Sequence, residues 1–266
     1  MSMVGILTAA GVVGLTGILI GLFLGAAGIR FKVEADEREE AVQSALPGNN
    51  CGGCGYAGCS GLAGAIVKGE APVNACPVGG ESAGERIARI MGVAAQATVR
   101  RNAYVRCGGD CEKAGSHYRY FGAEDCRVMA FVPGGGPKSC RSGCLGYGTC
   151  VESCPFGAIR IRNGVAVVDK GSCKACGKCV EACPRKLIAL IPYEAKQVVG
   201  CMSTDRGPVT MKACKAGCIG CALCVKACPA GAVKVEEFHA VIDYDKCISC
   251  GACQEKCPKK AIVVNW

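Results

Sequence analysis

Twenty-five of the 266 residues are cysteine, and their spacing is the first feature with chemical content. Cys247, Cys250 and Cys253 stand two residues apart, and Cys257 follows after three more, directly before Pro258. Cys218, Cys221, Cys224 and Cys228, followed by Pro229, form the same run. Three thiolates in so tight a loop reach three irons of one [4Fe–4S] cubane, while the fourth, set before proline, points to a neighbouring cubane. The two runs therefore predict one cluster on Cys218, Cys221, Cys224 and Cys257 and a second on Cys247, Cys250, Cys253 and Cys228. Zinc sites also use paired CxxC spacings, but not this triple-plus-one pattern. A disulfide framework requires an oxidising compartment, and complete pairing fails on an odd count.

Sliding the chain by 74 residues superimposes the pattern on itself. Cys140, Cys144, Cys150 and Cys154 fall on Cys214, Cys218, Cys224 and Cys228; Cys173, Cys176, Cys179 and Cys183 fall on Cys247, Cys250, Cys253 and Cys257. Lys138 also meets Lys212, and Gly143 meets Gly217. The chain carries two copies of one module. In the first copy, Cys173, Cys176, Cys179 and Cys154 make one regular set. The other run departs from the pattern, because Tyr147 stands where the second copy has Cys221. Cys140 is the expected substitute, giving Cys140, Cys144, Cys150 and Cys183; Tyr147 as ligand, or a cluster with three protein ligands, are the alternatives.

Upstream, Cys51, Cys54, Cys59 and Cys76, the last before Pro77, form a separate four-thiol set. Gly52, Gly53, Gly55 and Gly58 let the backbone wrap closely and are expected to turn N–H groups towards cluster sulfurs. The same stretch matches GxGxxG, but no strand precedes it and Cys54 interrupts it, so a dinucleotide fingerprint is rejected. These five sets leave Cys107, Cys111, Cys126, Cys201 and Cys214. A sixth cluster is expected on Cys107, Cys111 and Cys126 with Cys201 or Cys214, leaving one cysteine spare and pinning the modules together.

The elements that must position these thiols are short of ordinary core material. Only 5% of the residues are aromatic, so the clusters themselves are expected to organise the modules. Residues 158–165 alternate and contain Asn163-Gly164, which reads as a β-hairpin with a tight turn. Residues 233–235 and 240–242 are the counterpart, joined by a longer turn. Residues 30–44 lack Gly and Pro and read as a short helix, residues 85–101 as a helix with Ile87, Met91 and Ala94 on one face, and residues 133–137 as a loop.

Residues 4–29 contain no charge. As a helix they span about 39 Å, enough for a hydrocarbon layer of ~30 Å. Arg30 and Lys32 follow at once, which by the positive-inside rule puts the cysteine-rich part in the cytoplasm, where reduced thiols survive. Gly17, Gly21 and Gly25 offer a groove to another membrane helix. The formal charge of +9 counts cysteines as neutral; six clusters at roughly −2 each bring the loaded chain to about −3. Nucleic acid is therefore not an expected partner. His117 and His239 read as solvated loop residues. Lys174, Lys178, Arg185, Lys186, Lys215, Lys226, Lys259 and Lys260 flank the cysteine runs and read either as ordinary solvated surface or as a docking surface for an acidic ferredoxin.

An anchor helix, the stretch Ala45-Leu46-Pro47-Gly48-Asn49-Asn50-Cys51-Gly52-Gly53-Cys54-Gly55 with Cys59 and Cys76-Pro77, and then ferredoxin-type runs together resemble the B subunit of the Rnf complex, over essentially the whole chain. Two ferredoxin modules and the cysteines around Cys107 to Cys126 resemble its long form. The Cys51-to-Cys76 set also occurs in corrinoid iron–sulfur proteins, which lack the rest. The resemblance implies an α+β chain: a transmembrane anchor (1–29), a single-cluster domain with linker helix (30–100), a cysteine-containing connection (101–138), a bacterial-type 2[4Fe–4S] ferredoxin module (139–193), a connection (194–212) and a second module (213–266). It implies a single-pass protein of the cytoplasmic membrane in an ion-translocating ferredoxin:NAD⁺ oxidoreductase, with soluble ferredoxin as donor and the A, C, D, E and G subunits as partners. Nicotinamide and flavin chemistry would belong to those partners, matching the absence here of a nucleophile or acid–base constellation. A membrane-tethered wiring subunit of a formate dehydrogenase or hydrogenase is the alternative.

Overall fold

The computed structural model describes residues 3–30, 36–95, 97 and 99–264. Lys32, one of the two basic residues following the apolar stretch, lies outside them. Helix α1 (Met3–Arg30) is apolar to its last residue, and its segment Ala10–Arg30 is long and apolar enough to cross a membrane. The large apolar side chains described along it, from Leu7 to Ile29, are exposed. Among the described residues nothing comes within 4 Å of a Cβ built on Gly17, Gly21 or Gly25.

Helices α2 (Glu37–Ala45), α3 (Gly58–Val67) and α4 (Gly80–Met91) form the first small domain. Asp36 caps α2 by accepting the Arg38 N–H, satisfying one of the donors a helix start leaves open. Val42, Leu62, Ile66 and Ile87 are almost wholly buried where the three helices meet, each contributing about 1.5–3 kcal/mol. Helix α4 starts earlier than expected and stops at Gly92, whose left-handed backbone (φ 68°) ends it. The expected helical face therefore ends at Met91, and Ala94 lies beyond it. Helix α2 likewise begins only at Glu37.

Two modules follow. The first contains β1 (Arg101–Val105), α5 (Thr149–Glu152), the hairpin β2 (Ile159–Arg162) and β3 (Val165–Val168), α6 (Lys178–Ala182) and β4 (Ile188–Pro192). The second contains β5 (Gln197–Val199), α7 (Gly207–Ala213), α8 (Leu223–Ala227), the hairpin β6 (Val233–Glu236) and β7 (His239–Ile242), α9 (Ala252–Glu255) and β8 (Ile262–Val264). β1 pairs antiparallel with β4, and β5 with β8. The stretches expected as mere connections thus supply a strand to the module that follows each of them.

The 74-residue repeat extends to the backbone. Left-handed φ angles at Gly146, Gly148, Gly157, Asn163, Gly164, Ala175, Gly177 and Lys186 recur at Gly220, Ala222, Gly231, Glu237, Phe238, Ser249, Gly251 and Lys260. Glu237 and Phe238 correct the expected longer turn: both hairpins close through two residues with positive φ, Asn163-Gly164 in the first and Glu237-Phe238 in the second. Phenylalanine is unfavourable in this conformation, so the surrounding module imposes it. Residues 133–137, expected as loop, contain a 3₁₀ turn at Pro133–Gly135.

Candidate metal centres

In the first domain, Cys54 and Cys59 lie beside the buried Cys76. The N–H of Gly79 donates to Cys76 Sγ at 3.3 Å. Gly52, Gly55 and Gly58 do hold left-handed backbone, but the Gly55 and Gly58 N–H groups donate to the carbonyls of Gly52 and Tyr56 rather than to sulfur. Gly53 has a different role: a Cβ there would lie 2.5 Å from the carbonyl oxygen of Cys176. The Cys51–Cys54 loop therefore touches the first module, and the thiols of Cys51 and Cys176 are neighbours.

Cys154, Cys173, Cys176 and Cys179 line one pocket. Cys173 Sγ accepts the N–H groups of Ala103 and Ala175 at 3.3 and 3.4 Å. In the second module, Cys218, Cys221, Cys224 and Cys257 line another pocket. Cys228 and Cys247 lie beside Cys253, while Cys250 stands exposed on the same loop. N–H donation recurs between the copies: Leu187 to Cys183 at 3.4 Å and Ala261 to Cys257 at 3.3 Å.

The expected grouping of Cys140 with Cys144, Cys150 and Cys183 is not what the structure brings together. Cys126 shares a pocket with Cys144, Cys150 and Cys183. Its N–H donates to Thr149 Oγ1 (3.0 Å), whose hydroxyl in turn donates to Asp125 Oδ1 (2.9 Å). A long excursion between Cys111 and Lys138 thus folds back over α5 and delivers a thiol where the tyrosine removed one. Tyr147 instead turns its ring towards Tyr120, with centroids 6.3 Å apart. Cys140 lines a different cavity, with Cys107, Cys201 and Cys214. The set expected for the extra cluster therefore separates: Cys126 goes to the first module, and Cys111 is exposed.

Two side chains take other roles than the sequence suggests. Arg185 is not free for docking: its guanidinium donates to the carbonyls of Gly135, Cys140 and Gly143. It lies close to Cys140, Cys144, Cys107 and Cys126. His239 is buried in β7 rather than solvated. Arg106 can only donate, so His239 Nε2 accepts from it at 3.1 Å, and Nδ1 carries the proton facing the Glu237 carbonyl at 3.3 Å. His117 is exposed, as expected.

Where four cysteines line one site, the donor set matches the four thiolates that hold a [4Fe–4S] cubane. Burial pushes the Cys150 and Cys179 thiols up to about 12 and those of Cys201 and Cys224 up to about 11. Bare thiolates are disfavoured there, and iron supplies the positive charge that makes deprotonation favourable.

The Fe-S cluster family model matches residues 46–78. Models of 4Fe-4S dicluster domains match residues 139–188 and, in two placements, residues 172–232 and 217–261. The chain is 46% identical over 242 residues to the B subunit of the Na(+)-translocating ferredoxin:NAD(+) oxidoreductase complex of Acetobacterium woodii, covering 91% of this chain and 72% of that one. It is 47% identical over 229 residues to the B subunit of the proton-translocating ferredoxin:NAD(+) oxidoreductase complex of Clostridium ljungdahlii, covering 85% and 80%. Against the B subunit of the ion-translocating oxidoreductase complex of Methanosarcina acetivorans the identity is 43% over 247 residues, covering 92% and 93%.

Proposed function

Because the chain belongs to the family of B subunits of ion-translocating ferredoxin:NAD⁺ oxidoreductase (Rnf) complexes and carries several [4Fe–4S] clusters, we propose that it relays electrons from reduced ferredoxin to the membrane subunits of such a complex. The observation that carries this reading is the succession of thiol-lined sites. The Cys51–Cys76 set adjoins Cys176, and Cys179, of the next set, adjoins Cys150. Clusters held by these thiols would supply one-electron couples, chemistry that asks no proton transfer or bond cleavage of the chain's own residues.

The residues of the chain hold, insulate and bias these couples. Buried thiols keep water from the sites, and N–H groups aimed at sulfur favour the reduced, more negative form. In our reading electrons enter at the second module. Cys221 and Cys250 are exposed there, with exposed Lys215, Lys226 and Lys260 on the same module. Electrons leave from the Cys51–Cys76 site, the one nearest in sequence to α1. With α1 spanning the membrane, the soluble part faces the cytoplasm, and the relay serves the A, C, D, E and G subunits.

Stopped-flow reduction of the purified chain by reduced ferredoxin tests this. We expect a rate that falls steeply between about 50 and 500 mM salt, because complementary charge speeds encounter. A rate unmoved by salt would remove the lysine docking surface, and no reduction at all would remove ferredoxin as donor.

A further inference from the structure

The second module carries a buried carboxamide where the first has a methyl group. In β1 Ala103 pairs with Leu190, and in β5 Gln197 pairs with Val264. Leu190 and Val264 are 74 residues apart, so Ala103 and Gln197 hold equivalent places in the two modules. Ala103 lines the pocket of Cys154, Cys173, Cys176 and Cys179 together with Gly177. The counterpart of Gly177 is Gly251, 74 residues on, and both hold left-handed backbone, with φ 82° and 84°. A Cβ built on Gly251 would lie 3.7 Å from Gln197 Nε2. Gln197 therefore reaches the loop between Cys250 and Cys253, at the wall that Ala103 forms in the first module.

This wall is a place from which donors reach sulfur. In the first module the Ala103 N–H donates to Cys173 Sγ at 3.3 Å, and Cys247 is the counterpart of Cys173. In the second module Cys228 and Cys247 lie beside Cys253. Tyr244 also lies near Cys247 and Cys253.

A carboxamide is an unfavourable choice for such a position on packing grounds. Gln197 is 8% exposed, and its Oε1 has no hydrogen-bond partner among the described residues. A buried amide oxygen without a donor costs about 1–3 kcal/mol. An apolar side chain avoids that cost, as Ala103 does. What offsets it lies at the other end of the group, where the amide nitrogen carries two N–H donors and no acceptor. Cluster and thiolate sulfurs are the acceptors that such a site would present to them.

We infer that the Gln197 amide donates to a sulfur of the cluster held by Cys228, Cys247, Cys250 and Cys253 and sets the potential of that site. The inference rests on the cluster content proposed above. An N–H directed at sulfur stabilises the reduced, more negative form, so this couple is less negative than it would be beside an apolar side chain. Next to the exposed Cys250, that bias favours capture of an electron arriving from outside the chain.

The test is EPR-monitored redox titration of the anaerobically purified full-length chain and its Q197M and Q197A variants, with iron and acid-labile sulfide determined for each. Q197M keeps the length of the side chain without its N–H groups, and Q197A copies the first module. We expect parental iron content in both, with one centre alone moving to more negative potential. At a fixed potential its reduced-to-oxidised ratio should fall about tenfold, which is about 59 mV for a one-electron couple. Unchanged potentials in Q197M with iron retained overturn the inference and leave the relay intact, because the side chain would then only fill space. A shift to less negative potential overturns it as well. So does a loss of about four irons in both variants, which would make the side chain a support of the site instead of a bias on its couple. A parent chain without iron would overturn the relay itself, a separate outcome.

Discussion

The two ferredoxin modules share a backbone down to their left-handed residues, yet they present one of their two sites differently. In the second module, Cys221 lies within the run and stands exposed, beside Leu223, which is 44% exposed. In the first, Tyr147 and Thr149 hold the corresponding positions. Thr149 is 6% exposed because the excursion carrying Cys126 covers it. The same chemistry is thus offered once by an open loop and once by a thiol brought from outside the run. Arg185 and Lys259, again 74 apart, follow this division: Arg185 fastens the excursion through the Gly135 carbonyl, while Lys259 borders the open site. The open module is suited to meeting a partner and the covered one to passing electrons internally.

Removing the metal should erase the comparison altogether. The apolar cores of both modules are small and built largely around cysteine, so folding free energy is coupled to iron binding. Anaerobic iron removal is expected to abolish most secondary structure of both modules by circular dichroism; an apo chain retaining both hairpins would contradict this. The next effect isolates the ligand exchange. C126S should lose about four irons or convert one site to a three-iron form, and Y147C added to C126S should restore the full content by recreating the second module's pattern. Failure of Y147C to restore iron would show that the excursion does more than replace a ligand.

Arg185 is expected to give a smaller effect. R185Q removes a half-buried cation hydrogen-bonded to three carbonyls, costing about 2 kcal/mol in stability. It should also make the nearest couples more negative by tens of millivolts, seen in EPR-monitored redox titration. K259Q should leave its module's potentials closer to the parent's. The mildest change is T149L, which copies Leu223 into the first module. Loss of the Cys126–Thr149–Asp125 chain should cost about 1 kcal/mol and expose residues 112–125 to limited proteolysis, with iron content retained.

Much of this comparison is legible in the sequence. The repeat, the three regular runs and the Cys51–Cys76 set follow from spacing alone, because three thiols on one short loop allow few arrangements. The replacement for the missing Cys221 equivalent does not. Cys140 is closest along the chain to Cys144, but Cys126 is brought in by a folded excursion whose path depends on Thr149 and Arg185. The signal that separates them is the valine-x-Cys step after β1 and β5, which pairs Cys107 with Cys201 once strand register is known. Glu237-Phe238 hides the second hairpin's tight turn, since neither residue is a usual choice for positive φ. The burial of His239 is hidden with it: a strand places its ring against Arg106, which lies far away in sequence.

A relay needs neighbouring thiolate-held cubanes close enough to form one continuous electron path. Low-temperature EPR of the fully reduced, anaerobically purified chain reads that proximity. We predict broadened spectra from magnetically interacting centres, sharpening towards isolated signals at partial reduction. A fully reduced sample showing only sharp, non-interacting signals, or no iron–sulfur signal at all, would contradict it.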